Sequence, residues 1–128
     1  MNSKKKMLIV DDKRVNRYTL ASIFDEKFEI IEGTNGREAI EILNKEKKIA
    51  IILLDIIMPE CDGFEGLVFM RENEINDIPV ILITASEDED QIRRGFTLEV
   101  DDFIHKPFDE EVVKQRVNHV LDIYNKAH

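Results

Sequence analysis

The chain has 128 residues, 43% of them hydrophobic and 35% charged, a balance that suits one folded domain and excludes a disordered or fibrous chain. Its formal net charge of -9 repels polyanions at long range, which argues against direct binding to nucleic acid or to an anionic membrane. A single cysteine, Cys61, excludes an internal disulfide or a multi-cysteine metal site, and no run approaches the roughly 20 apolar residues of a membrane span, so a reducing, cytoplasmic setting is expected.

Short apolar runs then alternate with longer amphipathic stretches. The Lys4-Lys5-Lys6 run reads as a solvated tail. It leads into a first strand at residues 7–10, whose four apolar residues are too few for a signal peptide. A helix is predicted over about 15–24, where Val15, Leu20, Ile23 and Phe24 can share an inward stripe. Residues 28–31 form the second strand, and Thr34-Asn35-Gly36 is a start signal for a helix with Ala39, Ile40 and Leu43 on one side. The third strand, 50–54, lies in an apolar run that does not alternate with polar residues, the pattern of a strand covered on both faces. A third helix carries Phe64, Leu67, Val68 and Met70, and a fourth strand follows at 80–83. The fourth helix, about 88–98, has the weakest pattern. A fifth strand at 102–105 precedes a strongly periodic helix with Val112, Val113, Val117, Val120, Leu121 and Tyr124 on its apolar face.

Five strand–helix repeats predict an α/β sandwich with a parallel sheet. The flavodoxin-like order 2-1-3-4-5, helices on both faces, is the natural arrangement, with ligands at the carboxyl ends of the strands. The whole chain, 1–128, is expected to be one domain with an ordered core of about 6–125. Reading off the strand ends gives Asp11 and Asp12, then Asp55, then Thr84, then Lys106 with Pro107. Taken singly, each has a plain reading as a cap, a turn residue or a solvated charge. Together they would share one rim. Carboxylates about 5 Å apart repel by roughly 3 kcal/mol at an effective dielectric of 20, so either one protonates or a cation sits among them. Oxygen-only donors favour a hard ion such as Mg²⁺. With Lys106 and the Thr84 hydroxyl, the set suits phosphoryl transfer to an aspartate nucleophile. Asp55, alone after the most apolar strand, is the candidate acceptor.

At these positions the sequence resembles the receiver domain of bacterial two-component response regulators. The resemblance runs from Lys6 to about Tyr124. It rests on Val10-Asp11-Asp12, on Leu54-Asp55-Ile56-Ile57-Met58-Pro59 leading to Asp62-Gly63, on Thr84-Ala85, and on the block from Asp101 to Phe108. It implies that Asp55 accepts a phosphoryl group from the phosphohistidine of a sensor histidine kinase or phosphotransfer protein. Asp12, Asp55 and the backbone carbonyl of Ile57 would ligate Mg²⁺ directly, with Asp11 acting mainly through water. Lys106 would pair with phosphoryl oxygens, the Lys106–Pro107 bond would be cis, and Thr84-Ala85 and Phe103 would form the switch. The resemblance also implies that phosphorylation changes the surface of the fourth helix, fifth strand and fifth helix, through which homodimers can form, and that the chain is not an enzyme beyond its own phosphorylation and dephosphorylation. Ile57 and Ser86 stand where the family tunes dephosphorylation. A bulky apolar Ile57 cannot orient water, which points to a phosphorylated state that is not unusually short-lived.

Competing readings meet specific obstacles. An aspartate-nucleophile phosphatase needs a second Asp two residues after the nucleophile, where Asp55 is followed by Ile56-Ile57. A flavin module needs a phosphate loop where Asp11-Asp12 would repel it. A receiver-like interaction module that is not phosphorylated usually lacks an acidic residue or the lysine, and here all are retained. One departure concerns the fourth helix: Glu99 stands where the family usually has glycine, and Gly95 lies inside the helix. Glu99 must either adopt a left-handed conformation at roughly 1 kcal/mol or the helix must end differently. A short, irregular or mobile fourth helix is the expectation. The last helix either closes a free-standing regulator or leads to an output domain absent from this chain, and the second is the expectation.

Overall fold

The computed structural model describes residues 4–56, 63–84 and 89–127. Its elements in chain order are β1 (Lys5–Val10), α1 (Arg14–Phe24), β2 (Phe28–Gly33), α2 (Gly36–Lys45), β3 (Ile49–Asp55), α3 (Gly63–Glu72), β4 (Val80–Thr84), α4 (Glu89–Thr97), β5 (Asp102–His105) and α5 (Glu110–Ala127). The five strands pair in parallel in the order β2-β1-β3-β4-β5, the predicted flavodoxin-like arrangement. Among the described residues no helix is long and apolar enough to cross a membrane.

Period-two alternation along each strand feeds two separate cores. Leu8 and Val10 of β1, Ile52 and Leu54 of β3, and Leu82 of β4 join α2 through Ala39, α3 through Phe64, Leu67 and Met70, and α4 through the partly buried Ile92. Met7 and Ile9, Ile51 and Leu53, and Ile81 and Ile83 face the other way, against Leu20 and Phe24 of α1 and Val113, Val117 and Val120 of α5. Continuous apolar strands are therefore what a doubly covered sheet requires.

Local signals place the helices. Asn35 caps α2 by accepting from the Glu38 amide at 2.9 Å, and the Glu38 carboxylate accepts from the Thr34 amide at 2.8 Å, a reciprocal start signal. Asp109 caps α5, accepting from the Glu111 and Val112 amides. Two residues assigned to inward stripes face solvent instead. Val15 is 67% exposed, because at 100° per residue it sits about 140° around the helix from Leu20. Val112 is 40% exposed, one position off the stripe of Val113, Val117 and Val120.

The fourth helix is an ordinary nine-residue α-helix over its described span. Glu99 takes the left-handed conformation at φ 64°. The Glu99 amide donates to Phe96 O at 3.0 Å and the Val100 amide to Gly95 O at 3.2 Å, the paired bonds of a Schellman ending that normally uses glycine. Arg71 of α3 donates to the carbonyls of Leu98 and Glu99 at 2.7 and 3.0 Å, satisfying groups that this turn leaves exposed.

Candidate functional site: an acidic cluster at the strand ends

Parallel register sets the rim. Val10 is level with Leu54, Asp55 with Ile83 and Thr84 with His105, so the residues that end β3 and β4, and those that follow β1 and β5, meet at one edge. Asp55 and Thr84 are the last residues of their strands, one position earlier than a reading of them as following the strands supposes. Backbone bonds carry the ladder past the strands: the Asp11 amide donates to Gly33 O at 3.1 Å and the Lys106 amide to Thr84 O at 2.9 Å.

Burial here is extreme for polar side chains. Asp11 and Thr84 are completely buried and Asp55 is 1% exposed, where acidic residues seldom go without a partner. Lys106 Nζ donates to Asp55 Oδ2 at 3.0 Å and lies 3.5 Å from Asp11 Oδ2. Burial by itself would lower the Lys106 pKa, but the hydrogen bond to Asp55 and the charges of Asp55 and Asp11 outweigh it and hold the ammonium above its ordinary value. The lysine is therefore fixed in its charged form.

Asp11, Asp12 and Asp55 each present an oxygen within 4.8 Å of the others. One ammonium against three carboxylates leaves two negative charges, a deficit that a divalent cation would cancel. The polar contacts agree. Asp11 Oδ1 accepts from the Lys13 amide at 2.9 Å and from Asn16 Nδ2 at 3.4 Å, whereas buried Asp11 Oδ2 has no hydrogen bond among the described residues and faces only the Lys106 ammonium at 3.5 Å. A buried carboxylate oxygen whose near neighbour is a single ammonium, beside two other carboxylates, is a donor set that suits a hard cation. The residues fit Mg²⁺.

The remaining predicted residues fall as follows. The Lys106–Pro107 peptide bond is cis. Phe103 is 7% exposed, with its ring edge-on to Phe96 at a centroid distance of 5.1 Å. Ile57 and Ala85, like Cys61 and Ser86, lie outside the described residues. Two polar residues of α1 come to the site without having been predicted. Asn16 meets the Asp11 carboxylate, and Arg17 Nη1 donates to the Asp11 carbonyl at 2.8 Å. Their position on the first turns of a helix directly after the acidic pair was the available signal.

A family model for the response regulator receiver domain matches residues 7–118. The transcriptional regulatory protein SrrA of Staphylococcus aureus is 40% identical over 116 residues, covering 90% of this chain; the chain spans about half, 47%, of that protein's length. Among solved structures, the signal receiver domain of a signal transduction histidine kinase from Syntrophus aciditrophicus is 31% identical with a TM-score of 0.81, covering 92% of this chain and 90% of that one. A two-component response regulator from Clostridium difficile is 26% identical with a TM-score of 0.83, covering 93% and 97%.

Proposed function

The chain belongs to the response regulator receiver domain family, and from that premise we propose that it is a phosphorylation-dependent switch with Asp55 as acceptor. The observation that carries the reading is the Asp55 carboxylate at the end of β3, in the Asp11–Asp12–Asp55 cluster and 3.0 Å from the Lys106 ammonium. An oxygen of Asp55 attacks the phosphorus of a phosphohistidine. The P–N bond breaks, the imidazole leaves and takes up a proton, and Asp55 becomes an acyl phosphate. Its partner is thus a sensor histidine kinase or phosphotransfer protein, met in the cytoplasm, and the chemistry is limited to its own phosphorylation and dephosphorylation.

Asp12, Asp55 and the backbone carbonyl of Ile57 would hold Mg²⁺ directly and Asp11 mainly through water; the ion when bound supplies positive charge against the phosphoryl oxygens. Lys106 is already charged and aimed at the acceptor, so it can follow the charge from carboxylate to phosphoryl oxygen without a change of protonation. The Thr84 hydroxyl, at the end of β4, is a donor drawn toward the added oxygens with Ala85 beside it, and Phe103 fills the space Thr84 leaves. The surface that changes is α4, β5 and α5, which serves an output partner, an output domain or a second copy of the chain.

Incubation with acetyl phosphate and Mg²⁺, followed by phosphate-affinity electrophoresis, tests the reading. A retarded band is expected for the wild type, absent with EDTA and absent in Asp55→Asn. Equal retardation of wild type and Asp55→Asn places the phosphoryl group elsewhere and defeats the assignment.

A further inference from the structure

Asp11 is gripped through both its backbone and its side chain by neighbouring residues of α1. Arg17 Nη1 donates to the Asp11 carbonyl at 2.8 Å, while its Nε donates to Glu32 Oε1 near the end of β2 at 2.9 Å. The Arg17 side chain is 13% exposed, so its guanidinium is packed between the β1–α1 loop and β2 and does not swing in solvent. Asn16 Nδ2 makes a longer contact, 3.4 Å, to Asp11 Oδ1. That oxygen also takes the Lys13 amide at 2.9 Å. Rotating the Asp11 carboxylate would break both of these bonds, and moving its backbone would break the bond to Arg17.

We propose that Arg17 and Asn16 are positioning residues for the divalent cation: together they fix the loop bearing Asp11 and Asp12 and select Oδ2 as the Asp11 oxygen that faces the carboxylate cluster. The inference rests on the reading of that cluster as a Mg²⁺ site. Mg²⁺ needs near-octahedral donors at about 2.0–2.1 Å and tolerates little displacement of them. Residues that orient ligands without touching the metal commonly change affinity about 10- to 100-fold when removed. Arg17 reaches the Asp11 carbonyl and Glu32 through two separate nitrogens held at fixed spacing, which the single nitrogen of lysine does not reproduce. The Glu32 carboxylate is 48% exposed and its ion pair alone is worth little; the bond to the Asp11 carbonyl is the one that matters.

Mg²⁺ titration of the full chain by isothermal titration calorimetry, with thermal melts in EDTA alongside, tests this. Wild type should bind Mg²⁺ and Asp12→Ala should not. Arg17→Ala is expected to weaken binding about 10-fold or more and Arg17→Lys to recover only part of that, with Asn16→Ala showing a smaller loss. Glu32→Gln should stay within about threefold of wild type. Asn16→Ala should melt in EDTA as the wild type does, which separates positioning of the ligand from support of the fold. Wild-type Mg²⁺ affinity in Arg17→Lys and Asn16→Ala overturns the proposal even if Arg17→Ala does not fold. If the wild type itself takes up no Mg²⁺, the metal reading falls and the proposal with it; the first failure differs because the contrast between wild type and Asp12→Ala persists.

Discussion

Asp12 is half-buried beside two carboxylates that are almost wholly removed from solvent, and its carboxylate affects stability differently with and without metal. A pair of carboxylates at this spacing repels by about 3 kcal/mol at an effective dielectric of 20. Partial solvation of Asp12 and the neighbouring Lys106 reduce that figure. Asp12→Ala is therefore expected to stabilise the metal-free protein by about 1 kcal/mol, a gain in stability at a cost in function. Millimolar Mg²⁺ should raise the wild-type midpoint through mass action and leave that of Asp12→Ala unchanged. Urea denaturation in EDTA and in Mg²⁺ measures both, and a variant less stable than wild type in EDTA would show that repulsion does not dominate this cluster. The acidic residues and Lys106 were legible because each sits at a strand end, a place fixed by chain order alone. Arg17 was legible only as a polar residue early in α1, because its contact with Asp11 depends on the rotational phase of α1 and on where β2 ends.

At the scale of elements, α4 shows how local preference and tertiary packing can oppose each other. Helix propensity alone says that Gly95→Ala should stabilise by up to about 1 kcal/mol. A Cβ at Gly95, however, would stand 2.8 Å from Leu82 Cδ1 and 2.8 Å from Phe103 Cζ. Leu82 is completely buried on β4, while Phe103 lies at the edge of the core against Phe96. Overpacking should win: Gly95→Ala is expected to cost about 1 kcal/mol net and to turn the Phe103 ring outward. Denaturant melts give the sign, and loss of nuclear Overhauser contacts between Phe103 and the Leu82 methyls reports the ring. A more stable variant with those contacts intact would refute the packing argument. The oddity of α4 was visible in the sequence as a glycine inside the helix and a glutamate where a glycine would end it. Its resolution was not visible. The space that Gly95 leaves for Phe103 involves β4 and β5, and the left-handed turn at Glu99 is tied down by Arg71, 28 residues away.

On the scale of the whole molecule, the order of strands and helices was legible because each strand is apolar on both faces and each helix on one. That pattern leaves few ways to stack the layers. The net charge carries a separate consequence. The chain has 27 acidic against 18 basic residues, and several of its cations are held in ion pairs: Lys6 with Glu46, Arg17 with Glu32, Lys114 with Glu110 and Arg116 with Asp102. Duplex DNA is bound first through neutralised phosphates, and proteins that do this nonspecifically show dissociation constants of about 10⁻⁴ to 10⁻⁶ M at physiological salt. Here the long-range field opposes the encounter, and phosphorylation would add to it. The chain is therefore expected to give no saturable anisotropy change with fluorescent duplex DNA up to about 10⁻⁴ M protein, even at low salt where screening is weakest. Saturable binding below that concentration, weakened by added salt, would reveal a basic surface strong enough to override the net charge, and would assign to this domain a DNA contact that its charge argues against.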